Sequence, residues 1–164
     1  MPKDIPKKND SEEQEETPDV SLSQVTHDLT SFEKKLVRNS VLLVEDDESF
    51  SEQLKLYLTA HGFTVQRARN GGEGVKKILM NDFDAIVCDM MMPNFPGDMF
   101  YRAVQLTKPY LCERFIFMTG HRGERHITDF IREIKGLMLW KPFQLHVLIE
   151  AIRTKQNKAK LIGE

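Results

Sequence analysis

The chain has only two cysteines and one tryptophan in 164 residues. Cys88 sits inside an apolar stretch and Cys112 beside Glu113 and Arg114, with no CxxC pair, so neither a disulfide framework nor a zinc site is supported. Reduced thiols fit this usage. No apolar run approaches the ~20 residues of a membrane-spanning helix, and the N-terminus carries charge and proline where a signal peptide needs an apolar core. A cytoplasmic location is expected. An excess of one charge is missing too: 23 basic residues face 25 acidic ones, for a net charge of −2. Such a chain has no global field to draw nucleic acid or an anionic membrane, and neither is expected as a partner.

Apolar residues are scarcest at the start. Residues 1–20 hold one Ile and one Val against three lysines, seven acids and three prolines. A segment of that kind cannot bury enough surface to offset its ordering entropy, and it reads as a disordered acidic tail. In residues 21–38 the pattern changes, with Leu22, Val25, Leu29, Phe32 and Leu36 at helical spacing. An amphipathic helix or linker is expected there. Its stripe spans about two heptads, fewer than a stable coiled coil needs, so a helix docked on its own domain or fraying in solution is favoured over a homodimer seam. Thr26-His27-Asp28-Leu29 is similar to the phosphorylatable box of histidine kinases over those four residues alone. The basic residue and proline of that box are absent, and His27 is read as an ordinary helix residue.

From residue 40 apolar runs alternate with helical patterns. Val41–Val44 is a continuous apolar strand ending at Glu45-Asp46-Asp47-Glu48, and Ser49 is expected to cap a helix through Ala60, with Phe50, Leu54, Tyr57 and Leu58 inward. Residues 63–65 form a second strand. The Asn70-Gly71-Gly72-Glu73-Gly74 turn leads into a helix with Val75, Ile78 and Leu79 inward, and it has neither dinucleotide-fingerprint spacing nor a P-loop lysine. Residues 84–88 are the third strand, ending on Asp89. A helix from Asp98 to Leu106 follows, with Met99, Phe100, Ala103, Val104 and Leu106 available for the core, and Pro109 stops it. Residues 115–118 form the fourth strand, ending at Thr119-Gly120. The charged helix near 124–134 keeps only Ile127, Phe130, Ile131 and Ile134 for burial, so it should be the least firmly held. Residues 137–140 are the fifth strand, Lys141-Pro142 ends it, and a last helix runs from Phe143 to about Arg153. Residues 155–164, with Lys155, Lys158 and Lys160, read as a solvated basic end.

Five strands, each followed by a helix, specify an α/β fold: a doubly wound (βα)5 unit with a five-stranded parallel sheet and right-handed crossovers. Parallel strands send their C-terminal ends to one edge, which gathers Glu45, Asp46, Asp47, Asp89, Thr119 and Lys141. Singly, each would be read as a cap, a turn former or a surface residue. Together they match what phosphoryl transfer requires. Asp46 and Asp89 could supply carboxylates to magnesium, with a backbone carbonyl after Asp89 as a third ligand. The cation would neutralise the acids, and an Asp89 oxygen could then act as nucleophile to form an acyl phosphate. Lys141 would offset charge on the phosphoryl oxygens, and Thr119 would donate a hydrogen bond to one of them.

Residues 39–154 resemble the receiver domain of the response regulators of two-component signalling. The resemblance rests on Val-Leu-Leu-Val-Glu-Asp-Asp-Glu at 41–48, Asp89 with Pro93 and Gly97 beyond it, Met-Thr-Gly at 118–120 and Lys-Pro-Phe at 141–143. It implies a flavodoxin-like sheet of order 2-1-3-4-5, Asp89 as phosphoacceptor and Mg2+ as cofactor. Asp46 and the Met91 carbonyl would then be magnesium ligands, with Glu45 acting at the metal directly or through water. It further implies Lys141 at the phosphate in a cis peptide bond to Pro142, and a histidine kinase or phosphotransfer protein as partner, with a downstream protein the sequence does not identify. Turnover chemistry beyond self-phosphorylation and autodephosphorylation is not expected. Asp47 falls outside the usual acidic pair. Met91 and His121 fall at positions that flank the water path to the phosphoryl group, and an influence on phosphate lifetime is expected of them. The departure is Met138, standing where the family carries the aromatic switch residue that moves with Thr119, with Trp140 on the same face of the strand. Met138 keeps open a receiver-like scaffold that does not switch. An aspartyl-nucleophile phosphatase is the remaining alternative, and Met91 stands where such enzymes commonly carry a second Asp.

Overall fold

The computed structural model describes residues 39–162, with side chains as far as 159. The expected tail over 1–20, the helix or linker over 21–38 and His27 lie outside the described residues. In chain order the elements are β1 (Ser40–Val44), α1 (Glu48–Ala60), β2 (Thr64–Ala68), α2 (Gly71–Met80), β3 (Ala85–Asp89), α3 (Gly97–Thr107), a 3-10 segment (Pro109–Arg114), β4 (Phe115–Thr119), α4 (Arg125–Ile134), β5 (Leu137–Trp140) and α5 (Leu145–Ile162). The strands form one parallel sheet of order β2-β1-β3-β4-β5, as expected.

Strand alternation divides the core between two faces. Leu42, Val44, Ile86, Cys88, Phe115 and Phe117 pack with Ile78 of α2, Phe100, Tyr101 and Val104 of α3, and Ile127 and Phe130 of α4. Val41, Leu43, Ala85, Val87, Ile116 and Met118 point the other way, onto Leu54 and Leu58 of α1 and Leu148, Ile149 and Ile152 of α5. Helices on both faces leave the central strands no solvent side, which is why they read as unbroken apolar runs. Among the described residues no helix is long and apolar enough to cross a membrane.

Several local expectations are corrected. The cap of α1 is Asp47, not Ser49: its carboxylate accepts the Phe50 N–H at 2.9 Å, and the chain then reverses at Gly62 with φ of 85°. Leu79 is 57% exposed, Met99 49% and Leu106 87%. Each lies on the flank of its helix stripe, where helical spacing alone does not separate core from rim. Tyr101 takes the place expected of Met99, with ring centroids 5.1, 5.9 and 5.5 Å from Phe115, Phe117 and Phe130. Helix α4 buries Ile127 and Phe130, while the expected Ile131 and Ile134 are half-buried, and Arg102 of α3 ties it by a 2.7 Å ion pair to Glu133.

The C-terminal end also differs. Helix α5 starts at Leu145 and runs to Ile162, well beyond the expected stop near Arg153. Lys155 is therefore not part of a solvated basic end but is 9% exposed. It continues the inward row of Leu148, Ala151 and Ile152 at helical spacing, and burial holds its amine below the usual lysine range.

Candidate functional site

Register brings the acids together. Val44 is paired with Cys88, so Glu45 and Asp89 leave neighbouring strands side by side at the same edge. The Glu45 N–H donates to Ala68 O at 3.0 Å and the Met90 N–H to Met118 O at 2.9 Å, which extends the ladder just past the strand ends and fixes where the side chains emerge. Lys141 directly follows β5, its own N–H donating to Thr119 O at 2.8 Å. With strands about 4.8 Å apart, β5 stands roughly 10 Å from β3, and only a long side chain can span β4. The Lys141 amine does so, donating to Glu45 Oε2 at 2.8 Å and Asp89 Oδ2 at 3.0 Å.

The electrostatics are those of an under-neutralised site. Glu45 is 1% exposed and Asp89 6% exposed, while Asp46 faces solvent. Carboxylate oxygens of the three acids lie within 4.8 Å of one another. Burial, and after it the Asp89 charge, pushes the Glu45 carboxyl above its ordinary range against the pull of Lys141. Burial alone would lower the Lys141 amine, but the hydrogen bond to Glu45 and the charge of Asp89 outweigh it, and its pKa is raised. One ammonium thus faces three carboxylates. Hard oxygen donors at this separation, with one exposed to solvent, suit a divalent cation that keeps part of its water shell. The residues present therefore fit magnesium.

The remaining expected residues are held close by. The Met91 N–H donates to Asp89 Oδ1 at 3.0 Å, so the loop after β3 fixes the carboxylate's orientation from one side while Lys141 holds it from the other. Gly97 lets that loop close: a Cβ there would stand 2.6 Å from Asp89 O, too near for any other residue without a shift. The Lys141-Pro142 peptide bond is cis. Thr119 is fully buried, and its Oγ1 accepts the His121 N–H at 3.2 Å. No hydrogen bond joins its hydroxyl to Asp89 or Lys141 among the described residues, so of the expected set Thr119 is adjacent to the cluster but not part of it. Met138, paired with Phe117 in register, is half-buried against the core that carries α4. Trp140 points to the loop before α4, with the Arg122 guanidinium 5.7 Å from its ring centroid.

Two features escaped the sequence. Asp47, unassigned among the acids, is the α1 cap, and its N–H also donates to Glu45 Oε1 at 3.1 Å. Phe50 places its ring face 4.7 Å from Lys141 Nζ, and the Phe143 ring meets it edge-on at 6.2 Å. Nothing in the spacing of Phe50 separates it from an ordinary core position of α1, so no sequence signal could have found this contact.

A family model described as "Response regulator receiver domain" matches residues 41–153. Among characterised proteins, the transcriptional regulatory protein RprY of Bacteroides fragilis is 32% identical over 125 residues, covering 72% of this chain and 52% of RprY. The sensor kinase CckA of Brucella abortus is 29% identical over 121 residues, 73% of this chain and 13% of that protein. The chain thus spans about half the length of the first regulator and a small part of the kinase. Among solved structures, a CheY-like receiver domain protein from Methanospirillum hungatei superimposes with a TM-score of 0.67 at 25% identity, covering 74% of this chain and 96% of that one. The response regulator TrrA of Thermotoga maritima, solved in complex with Mg(2+)-BeF, gives 0.63 at 23% identity over 71% and 98% of the two chains, a likeness of fold.

Proposed function

The chain belongs to the response regulator receiver domain family, and on that premise we propose that Asp89 accepts a phosphoryl group from a histidine kinase or phosphotransfer protein in the cytoplasm. The observation that carries this reading is the convergence of Glu45, Asp46 and Asp89 under a single lysine that reaches both buried acids. Asp46, Asp89, the Met91 carbonyl and Glu45, directly or through water, would hold Mg2+. When bound, the cation supplies charge neutralisation for the incoming phosphate.

The protein's own groups then have distinct tasks. An ionised Asp89 oxygen forms the new bond to phosphorus as the bond from phosphorus to the donor's leaving atom breaks, and the leaving group departs with that electron pair. No proton need leave Asp89. The Met91 N–H keeps one Asp89 oxygen turned toward its loop, which leaves the oxygen now held by Lys141 as the one freed for attack. Lys141 exchanges its carboxylate partners for phosphoryl oxygens. Thr119 accepts the His121 N–H through its hydroxyl oxygen, and its O–H remains the donor for a phosphoryl oxygen. Outward signalling through Thr119 and Met138 changes the partner surface of α4 and β5.

The test is labelling of the full chain by acetyl phosphate with Mg2+, followed by mass spectrometry. The parent protein takes up one phosphoryl group and Asp89→Asn takes up none; label surviving in that variant would overturn the assignment. Turnover of a generic phosphomonoester stays negligible. The reading of a scaffold that does not switch has one observation in its favour, the seating of Met138 in the α4-side core. Under that reading, beryllofluoride would move NMR resonances at the site alone and leave those of α4 and β5 in place.

A further inference from the structure

The Lys141 amine has three donor directions, and two are taken by Glu45 and Asp89. The third side is covered by the Phe50 ring, whose centroid is 4.7 Å away. That is within the distance at which the negative face of an aromatic ring attracts an ammonium. Phe143, two residues beyond Lys141, supports the ring from the side, edge-on at 6.2 Å and 69°. The backbone at Phe50 is anchored, its N–H being the one accepted by the Asp47 cap. The first turn of α1 therefore places an aromatic face against the lysine, while the acid run just before that turn supplies the other side of the same site.

A divalent cation at Glu45, Asp46 and Asp89 competes with Lys141 for two of the same carboxylates. A lysine deprived of both carboxylates is a point charge on a flexible four-carbon stem, repelled by the nearby cation. The ring face does not take part in that exchange. It is the one contact of the amine, among those described, that cation binding leaves in place. We propose that Phe50 is a positioning residue for Lys141, its ring holding the amine over the acid cluster while a divalent cation displaces it from Glu45 and Asp89, so that the amine meets the incoming phosphoryl oxygens. This inference rests on the phosphoacceptor reading above.

The test uses the full chain with acetyl phosphate at saturating Mg2+, comparing the parent protein with Phe50→Leu, which keeps an apolar side chain of similar bulk without the ring face, and Phe50→Tyr, which restores it. Phe50→Leu is expected to label about three- to ten-fold more slowly, the size of one partly desolvated cation–ring contact, and Phe50→Tyr to recover most of the rate. In NMR spectra the Lys141 side-chain methylene next to the amine carries an upfield ring-current shift in the parent and in Phe50→Tyr. That shift persists when Mg2+ and beryllofluoride are added, and it is absent in Phe50→Leu. Urea unfolding of each variant separates positioning from packing, since lost packing alone would lower stability without a rescue specific to aromatic side chains. Equal labelling rates in the parent and Phe50→Leu, or a ring-current shift that vanishes on adding Mg2+, would overturn the proposal and leave the phosphoacceptor assignment standing. A parent protein that takes no label overturns both.

Discussion

Strand β3 begins and ends next to an aspartate, and the two are used in opposite ways. Asp84, just before the strand, directs one oxygen at the Ser40 N–H at 2.9 Å and at the Ser40 hydroxyl at 3.0 Å, and its own N–H donates to Ser40 O at 2.8 Å. These bonds tie the starts of β1 and β3 together with neutral donors, and among the described residues Asp84 belongs to no cluster of three possible metal ligands. Asp89, at the other end, shares one lysine with Glu45 and lies beside Asp46. Both edges contain a partly or fully buried carboxylate, but only at Asp89 do several acids crowd around one cation. Where hydrogen bonding saturates a buried acid it acts as a clasp; where acids outnumber their cations, the structure retains an electrostatic cost that stability does not explain.

The sharpest way to break that contrast is to remove each acid in turn. Asp89→Asn should abolish labelling completely yet leave the urea-unfolding free energy within about 1 kcal/mol of the parent, because Lys141 keeps Glu45 and one of two repelling acids is gone. Asp84→Ala should do the reverse, costing about 2 kcal/mol through the Ser40 donors it strands while labelling proceeds. A loss of label in Asp84→Ala with stability intact would collapse the distinction.

Next in size is Lys141→Met. Without magnesium it leaves two buried carboxylates facing each other and should cost roughly 3 kcal/mol at neutral pH. Titration with Mg2+, followed by thermal melting, should recover much of that loss in the variant and less in the parent, where the cation must first displace the lysine. Equal stabilisation of the two proteins would show that lysine and cation do not compete.

A smaller effect concerns pH. The Glu45 carboxyl is raised in the folded protein from its ordinary 4.5, so the folded state binds its proton more tightly than the unfolded chain does. The stability this contributes is complete below the unfolded value and is lost as pH rises through the folded one. In metal-free buffer the stability of Glu45→Gln relative to the parent should therefore improve from pH 4 to pH 7, read from urea midpoints. The raised Lys141 amine does not titrate in that window, its contribution being lost only above its ordinary 10.5. A constant difference between the two proteins would mean that Asp89 and burial do not disfavour the Glu45 charge.

The smallest expected change tests a buried charge that is neither clasp nor site. Lys155 is 9% exposed, and burial outweighs the pull of the Glu113 charge on its amine. Lys155→Met should raise stability by about 1 kcal/mol in calorimetry, leaving phosphorylation untouched.

The fold and the members of the site were legible to different depths. Unbroken apolar runs identify β1, β3 and β4 because both sides of those strands are buried, and an acid at the end of such a run is visible without coordinates. On the flanks of α2 and α3 the helical spacing of Leu79, Met99 and Leu106 does not predict their exposure, since a helix stripe tapers gradually while burial depends on the neighbour's width. Helix α5 extends past Arg153 without an apolar signal in the sequence, because the inward position of its next turn is taken by the charged Lys155.

The sequence by itself determined the order of strands and helices, and hence that Glu45, Asp46, Asp89, Thr119 and Lys141 would meet at one edge. These follow from patterns repeated every two or three to four residues, which are local. Tertiary structure alone decided who touches whom there. Lys141 bridges Glu45 and Asp89, Asp47 caps α1 and stays out of the cluster, Thr119 bonds to the His121 N–H, and Phe50 covers the lysine. Those choices depend on the sheet order and on the register of β1, β3, β4 and β5. Register brings residues nearly a hundred positions apart within hydrogen-bonding distance, and no local pattern records it.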